Sequence, residues 1–252
     1  MTTDSPPAGR GASLEYLEYV GQLIGELIAT QAASITAAAE LFAHAVANDG
    51  LIHVFGPGHS HIIAEEAFNR TGGLACVSPI VDRTGGRAEI VEGYAAAIIE
   101  GYELRPGEVM VVSSNSGVNP LPVEMAMLAQ ERGLHVVAIT SLEFSRSLTP
   151  RHSSGSRLFE IADVVLDNRC PAGDALVQVP GVSAKVGPGS SIASMALLNA
   201  TMAATIERLS SQGLEVPVFL SERLPGEFEH NNELKRRFAS RVRAQFTAML
   251  FY

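Results

Sequence analysis

Apolar and polar positions along this chain switch between a helical period and short continuous apolar runs, and the switches mark the elements. From residue 13 to 47, Leu, Ile and Ala recur without a breaker until Asn48, Asp49 and Gly50 close the segment. Leu17, Val20, Leu23, Ile24, Leu27 and Ile28 fall at helical spacing within it, which predicts at least one long helix with an apolar stripe. Apolar runs of buried-strand length follow at 51–55, 74–80, 109–112, 135–140 and 162–166. Helical stretches are expected between them at 62–70, 89–101 and 158–161, and between Pro120 and Gly133. In the last of these, Asn119 suits the N-cap, Pro120 the first helical position and Gly133 the residue just past the final turn. Strands alternating with helices predict a parallel sheet in a three-layer α/β/α sandwich.

The pattern changes around residue 141 and again after Cys170. Residues 141–156, with Arg146, Arg151 and His152, read as a loop, and 171–182 as an excursion punctuated by Gly and Pro. Gly187, Pro188, Gly189, Ser190 and Ser191 lead into a helix over 192–209 with so little polar surface that it belongs in the core or at a subunit interface. A basic amphipathic run at 234–249 reads as a solvated face.

Composition narrows the class. With 252 residues, 46% hydrophobic and 18% charged, the chain can bury one compact core and is too apolar for disorder. A net charge of −9 argues against nucleic acid or an anionic membrane as partner. Cys76 and Cys170 have no metal or redox spacing and read as reduced thiols of a cytoplasmic protein. No apolar segment is long enough to span a bilayer, and residues 1–12 read as a flexible polar leader.

The candidate chemistry gathers where two strands give way to helices. After 109–112 come Ser113, Ser114, Asn115, Ser116 and Gly117, where hydroxyls, free backbone N–H groups and a helix N-terminus suit an anion. An ordinary strand-to-helix turn would use the same residue types. The loop lacks the Lys of a Walker-type loop and the glycine spacing of a dinucleotide fingerprint, so neither a nucleoside triphosphate nor NAD is expected, and no cofactor is predicted. After 51–55, Gly56, Pro57, Gly58, His59, Ser60 and His61 repeat the arrangement, and two such loops at strand carboxyl ends would line one crevice. His59 and His61 suit proton transfer near neutral pH, and Glu65 and Glu66 lie about one turn into the next helix. His61 and Glu65, four apart, would share a helix face, but two ligands alone do not predict a metal site. The arginines of 82–87 would reach either a ligand or solvent.

Three stretches carry a family resemblance: FGPGHSHIIAEEAFNRTGG, VSSNSGVNPLPVEMA and RHSSGSRLFEIADVVLDN. Together they resemble the sugar isomerase (SIS) domain and its phosphosugar-binding branch, from about Ser13 to Asn232. The resemblance implies a flavodoxin-like parallel sheet, one SIS domain over 13–252 with an N-terminal helix and a helical tail, and a homodimer or homotetramer. It implies a sugar phosphate as partner, with Ser60, Ser114, Asn115 and Ser116 matching the family's phosphate positions, Ser113 beside them, and Asn119 where many members carry Thr. Three activities follow from it. The first is an aldose–ketose isomerase working through an enediolate, with Glu65 or Glu66 as base and His59 or His61 assisting. The second is a lyase resembling N-acetylmuramic acid 6-phosphate etherase, and the third a non-catalytic phosphosugar sensor. Similarity to phosphoheptose isomerase, whose members use zinc, leaves a metal open, and the His61/Glu65 pair is its only support in these residues.

Overall fold

The computed structural model describes residues 11–221 and 223–242; the leader expected at 1–12 and the end of the basic run at 234–249 lie largely outside them. The N-terminal helical segment is two helices, α1 (Ala12–Thr30) and α2 (Ala32–Ala47), broken at Gln31. The break has a partner: Gln31 is buried, and its Oε1 accepts the Asp167 N–H at 2.9 Å. Strand β1 (Ile52–Phe55) runs into a 3-10 turn at Gly58–His61 and a short helix, α3 (Ile62–Ala67). Helix α3 ends three residues earlier than the pattern predicts, because Phe68 is already extended.

After β2 (Val77–Ile80), the helix expected at 89–101 shrinks to α4 (Tyr94–Ile99). The Asp82 carboxylate takes the N–H groups of Thr84 and Gly86 and the Thr84 hydroxyl, folding the following residues into turns instead. Next come β3 (Val109–Ser113), α5 (Pro120–Glu131) and β4 (His135–Thr140). The loop expected at 141–156 contains α6 (Leu142–Ser147), capped by Ser141 Oγ accepting the Phe144 N–H. Helix α7 (Leu158–Ile161) and β5 (Val164–Asp167) follow. The Gly/Pro excursion holds a small antiparallel pair, β6 (Ala175–Val177) and β7 (Val186–Pro188), before α8 (Ser190–Ser211) and α9 (Glu227–Phe238).

The five long strands form one parallel sheet in the order β2-β1-β3-β4-β5, the flavodoxin-like arrangement. Their residues are buried on both faces and alternate between two cores, as a covered parallel sheet requires. Val109, Val111, Val137 and Ile139 face α1, α2, α3 and α8, whereas Met110, Val112, Val136 and Ala138 face α4, α5 and α7. Cys76 and Cys170 are free and buried, and burial pushes both thiols up to about 12, so they are inert at neutral pH. No helix among the described residues is long and apolar enough to cross a membrane.

At the opposite end of the sheet from its loops toward the helices, a buried carboxylate ties three segments together. Glu108 accepts the N–H groups of Leu51 and Arg105 at 2.8 and 2.9 Å, meets His53 Nε2 at 3.0 Å, and pairs with Arg241 at 2.7 Å. Burial raises its pKa, but the contacts from His53, Arg241 and the Arg105 N–H outweigh burial and bring it down to about 2. A depressed carboxylate stabilises the fold above its unfolded pKa near 4.5, and that contribution fades as pH falls toward 2. Replacing Glu108 by Ala strands His53 and Arg241. Urea unfolding at pH 7 should show a loss of about 3 kcal/mol, shrinking as the pH is lowered from 5 toward 2.5.

Candidate functional site

The sheet order reverses between β1 and β3, and the loops that follow these two strands diverge to opposite faces there. Open parallel sheets bind ligands at such a point, outside the carboxyl ends of the strands. Here a cleft of about 620 Å3 opens, lined by Pro57 to Ser60, Gly85 to Arg87, Glu89, Ser114 to Ser116, Asn119, Phe144, Gly173, Asp174 and Ser190. The expected convergence of the two loops is therefore present: His59, Ser60, Ser114, Asn115, Ser116 and Asn119 share one cavity.

The donors of the serine loop point outward because its acceptors are used inward. Ser114 Oγ accepts the Gly117 N–H at 3.2 Å, and the Asn115 carbonyl accepts from the Ser141 N–H and the Thr140 hydroxyl. Among the described residues, the N–H groups of Asn115 and Ser116 make no hydrogen bond. Gly117 sits at φ +60, and a Cβ there would lie 3.0 Å from Thr140 Oγ1, so the sharp turn needs glycine. Helix α5 begins three residues later with Pro120, which leaves no N–H unpaired at that position. The result is a concentration of N–H and O–H donors at a helix N-terminus, an arrangement that stabilises an anion.

Ser113 and the remaining charged candidates are placed elsewhere. Ser113 is the last residue of β3, is buried, and does not line the cleft. Asn119 has the extended backbone of an N-cap, but its side chain makes no capping bond. Its Nδ2 donates to Glu89 Oε1 at 2.8 Å and its Oδ1 accepts from Arg151 at 3.3 Å. Glu65 and Glu66 lie outside the cleft, where Glu65 faces His61 at 3.4 Å and Glu66 pairs with Arg70 at 2.5 Å. The His61 ring also contacts the Gly58 carbonyl. His61 and Glu65 thus neighbour each other, as their spacing predicts, but among the described residues no third ligand joins them and the pair does not fit a zinc site.

Sequence reasoning missed three polar residues of the cleft, Glu89, Asp174 and Ser190, and each is brought there by a long-range bond. Glu89 stands between the two loops, its Oε1 held by Asn119 and its main-chain carbonyl accepting the Leu121 N–H. Asp174 caps α8, accepting the N–H groups of Gly189 and Ser190 and the Ser190 hydroxyl, and it brings Ser190 to the wall. The Gly- and Ser-rich lead into α8 resembled the other two loops and was the available signal. A separate group, Glu92, Glu124 and His152, gathers ligand atoms within 4.8 Å. Both Glu92 oxygens there already accept from Ser153, at 2.7 and 2.8 Å, which holds that exposed carboxyl below its usual range. The group fastens the 151–154 loop to α5 outside the cleft.

The profile of the SIS domain matches residues 15–141 of this chain. The chain belongs to the SIS domain family. Among similar proteins, UPF0309 protein GK1441 of Geobacillus kaustophilus is 36% identical over 237 residues, covering 90% of this chain and 94% of its own. UPF0309 protein TTE0306 of Caldanaerobacter subterraneus is 39% identical over 240 residues, covering 90% and 98%. Among solved structures, phosphoheptose isomerase GmhA from Neisseria gonorrhoeae matches with a TM-score of 0.57 at 20% identity, over 77% of this chain and 96% of that one. The NanR protein of Vibrio vulnificus, solved with ManNAc-6P, matches with a TM-score of 0.53 at 14% identity, over 94% and 72%. These structures share the fold of this SIS domain.

The tightest backbone approach beside the SIS cleft is at Gly56, the residue before its first lining turn, where an added Cβ would lie 2.3 Å from the Ser60 carbonyl oxygen. Gly56→Ala should therefore push the 57–60 turn outward and destabilise the protein by about 2 kcal/mol in urea unfolding. A variant as stable as the parent would show that this turn is not held by close approach.

Proposed function

We propose that this protein binds a phosphosugar with its phosphate on Ser114, Asn115 and Ser116 and its carbon chain running toward Ser60, and that it acts as an aldose–ketose isomerase. The observation that carries the reading is the set of outward-facing donors at the start of α5, opposite a carboxylate and an imidazole across one cleft. Arg87 adds a cation to the same wall. Phosphate is the anion of choice because several neutral donors and a helix N-terminus neutralise it without a triphosphate-binding lysine.

Isomerisation needs a base that lifts the proton from C2 and returns it at C1, and a group that moves a proton between the two oxygens of the enediolate. The residues first expected for this, Glu65, Glu66 and His61, stand off the cleft. Glu89 and His59 line it, and we assign them the two roles: Glu89 as base and His59 as oxygen-side proton carrier. The single bond from Asn119 fixes one Glu89 oxygen and leaves Oε2 for the substrate. Two proteins of the same fold support this substrate class: one is a phosphoheptose isomerase and another was solved with ManNAc-6P. Assembly with a second copy would cover Leu14, Leu17 and Ile28 on α1, which are 53%, 62% and 76% exposed.

Proton NMR in D2O with hexose, amino-sugar and heptose phosphates tests the chemistry. The expected result is loss of the C2 proton signal with a ketose appearing, slowed at least about 100-fold in Glu89→Gln. Binding without C2 exchange would contradict the isomerase and favour a sensor, and release of a C3 substituent would favour a lyase.

A further inference from the structure

The third of the family-like stretches ends at Asn168, a residue that no part of the proposed chemistry uses. It follows β5 and is fully buried, and its side chain is completely bonded. Oδ1 accepts the Cys170 N–H at 3.1 Å, while Nδ2 donates to Asn115 Oδ1 at 3.0 Å and to Ser194 Oγ at 3.2 Å. Its main-chain N–H is also fixed, on the Thr140 carbonyl at 2.9 Å.

These bonds determine which way two amides face. A backbone N–H can only donate, so the atom of Asn168 that meets Cys170 must be the oxygen, and the amide cannot turn over. Its nitrogen is then obliged to face Asn115, and the atom of Asn115 that meets it must be an acceptor. Asn115 is thereby held with Oδ1 inward and Nδ2 outward, on the wall of the cleft between Ser114 and Ser116. An unconstrained asparagine beside an anion site presents a donor or an acceptor with equal ease, and the acceptor repels phosphate. We infer that Asn168 is a positioning residue of the anion site: it locks the Asn115 amide so that two N–H donors face the ligand. Through Ser194 it also sets this amide against α8, which links the loop after β3 to that long helix. The inference rests on the reading of this cleft as a phosphate site.

Asn168→Asp separates the two functions of the side chain. The carboxylate still accepts from Cys170 and Ser194, so the pocket stays bonded, but it cannot donate to Asn115 and makes that amide turn its oxygen to the cleft. Inorganic phosphate is the probe, titrated into the full chain and followed by amide NMR. Wild type should show phosphate-dependent shifts at the Ser116 N–H and the Asn115 side-chain NH2. In Asn168→Asp the NH2 response should vanish and phosphate affinity fall about tenfold, the size of one hydrogen bond to a charged group. In an Asn115→Ala background the same change should cost less than about twofold, because the residue it acts through is gone. A tenfold loss that persists in that background, or an NH2 response that survives in Asn168→Asp, would overturn the inference. If Asn168→Asp does not fold, Asn168→Ala is read in the same cycle, and its loss of affinity must likewise disappear with Asn115→Ala. Wild-type shifts confined to residues outside 114–116 would instead overturn the phosphate site itself.

Discussion

The reversal of strand order between β1 and β3 is the constraint on which the site depends. Because the crossovers from these neighbouring strands go to opposite faces, their loops part at the carboxyl ends and leave a crevice that no helix fills. The register of β1 against β3 aligns Phe55 with Val112, so both loops leave the sheet at the same level. The sheet is buried on both faces, which makes it a rigid platform, and the functional groups are borne by short turns on it.

In the proposed reading, an acidic chain builds its anion site mostly from neutral groups. The donors are hydroxyls, an amide and free backbone N–H groups at the start of α5, and the acceptors of the same loop are consumed by Gly117, Thr140, Ser141 and Asn168. Two carboxylates in the same cleft are each given a neutral partner: Asp174 caps α8, and Glu89 is held by Asn119. Polar residues that look interchangeable in sequence thus divide into those lining the cleft and those orienting the ones that do.

Strands were legible because burial on both faces removes polar interruptions, so β1, β3 and β4 are visible as apolar runs. Helix limits were less legible where a side chain captures backbone groups: Asp82 folds the residues just before the helix expected at 89–101 into turns, Gln31 interrupts the first helical segment, and Ser141 starts α6 inside an expected loop. The serine loop and Ser60 could be placed in one cleft from local pattern alone, since strand ends and helix starts fix them. Glu65, Glu66 and His61 show the opposite case: spacing predicts that His61 and Glu65 meet, but the phase of a short helix decides which way these side chains face. Glu89, Asp174 and Asn168 reach the site through bonds to residues 30, 16 and 53 positions away, which no local pattern encodes.

The central claim is that the donors after β3 hold the phosphate of a sugar phosphate. Calorimetric titration of hexose, amino-sugar and heptose phosphates into the parent and into Ser114→Ala with Ser116→Ala tests it most directly. The account predicts binding of at least one sugar phosphate by the parent, weakened at least about tenfold in the double variant while that variant stays folded. Equal affinity in the two proteins would contradict it.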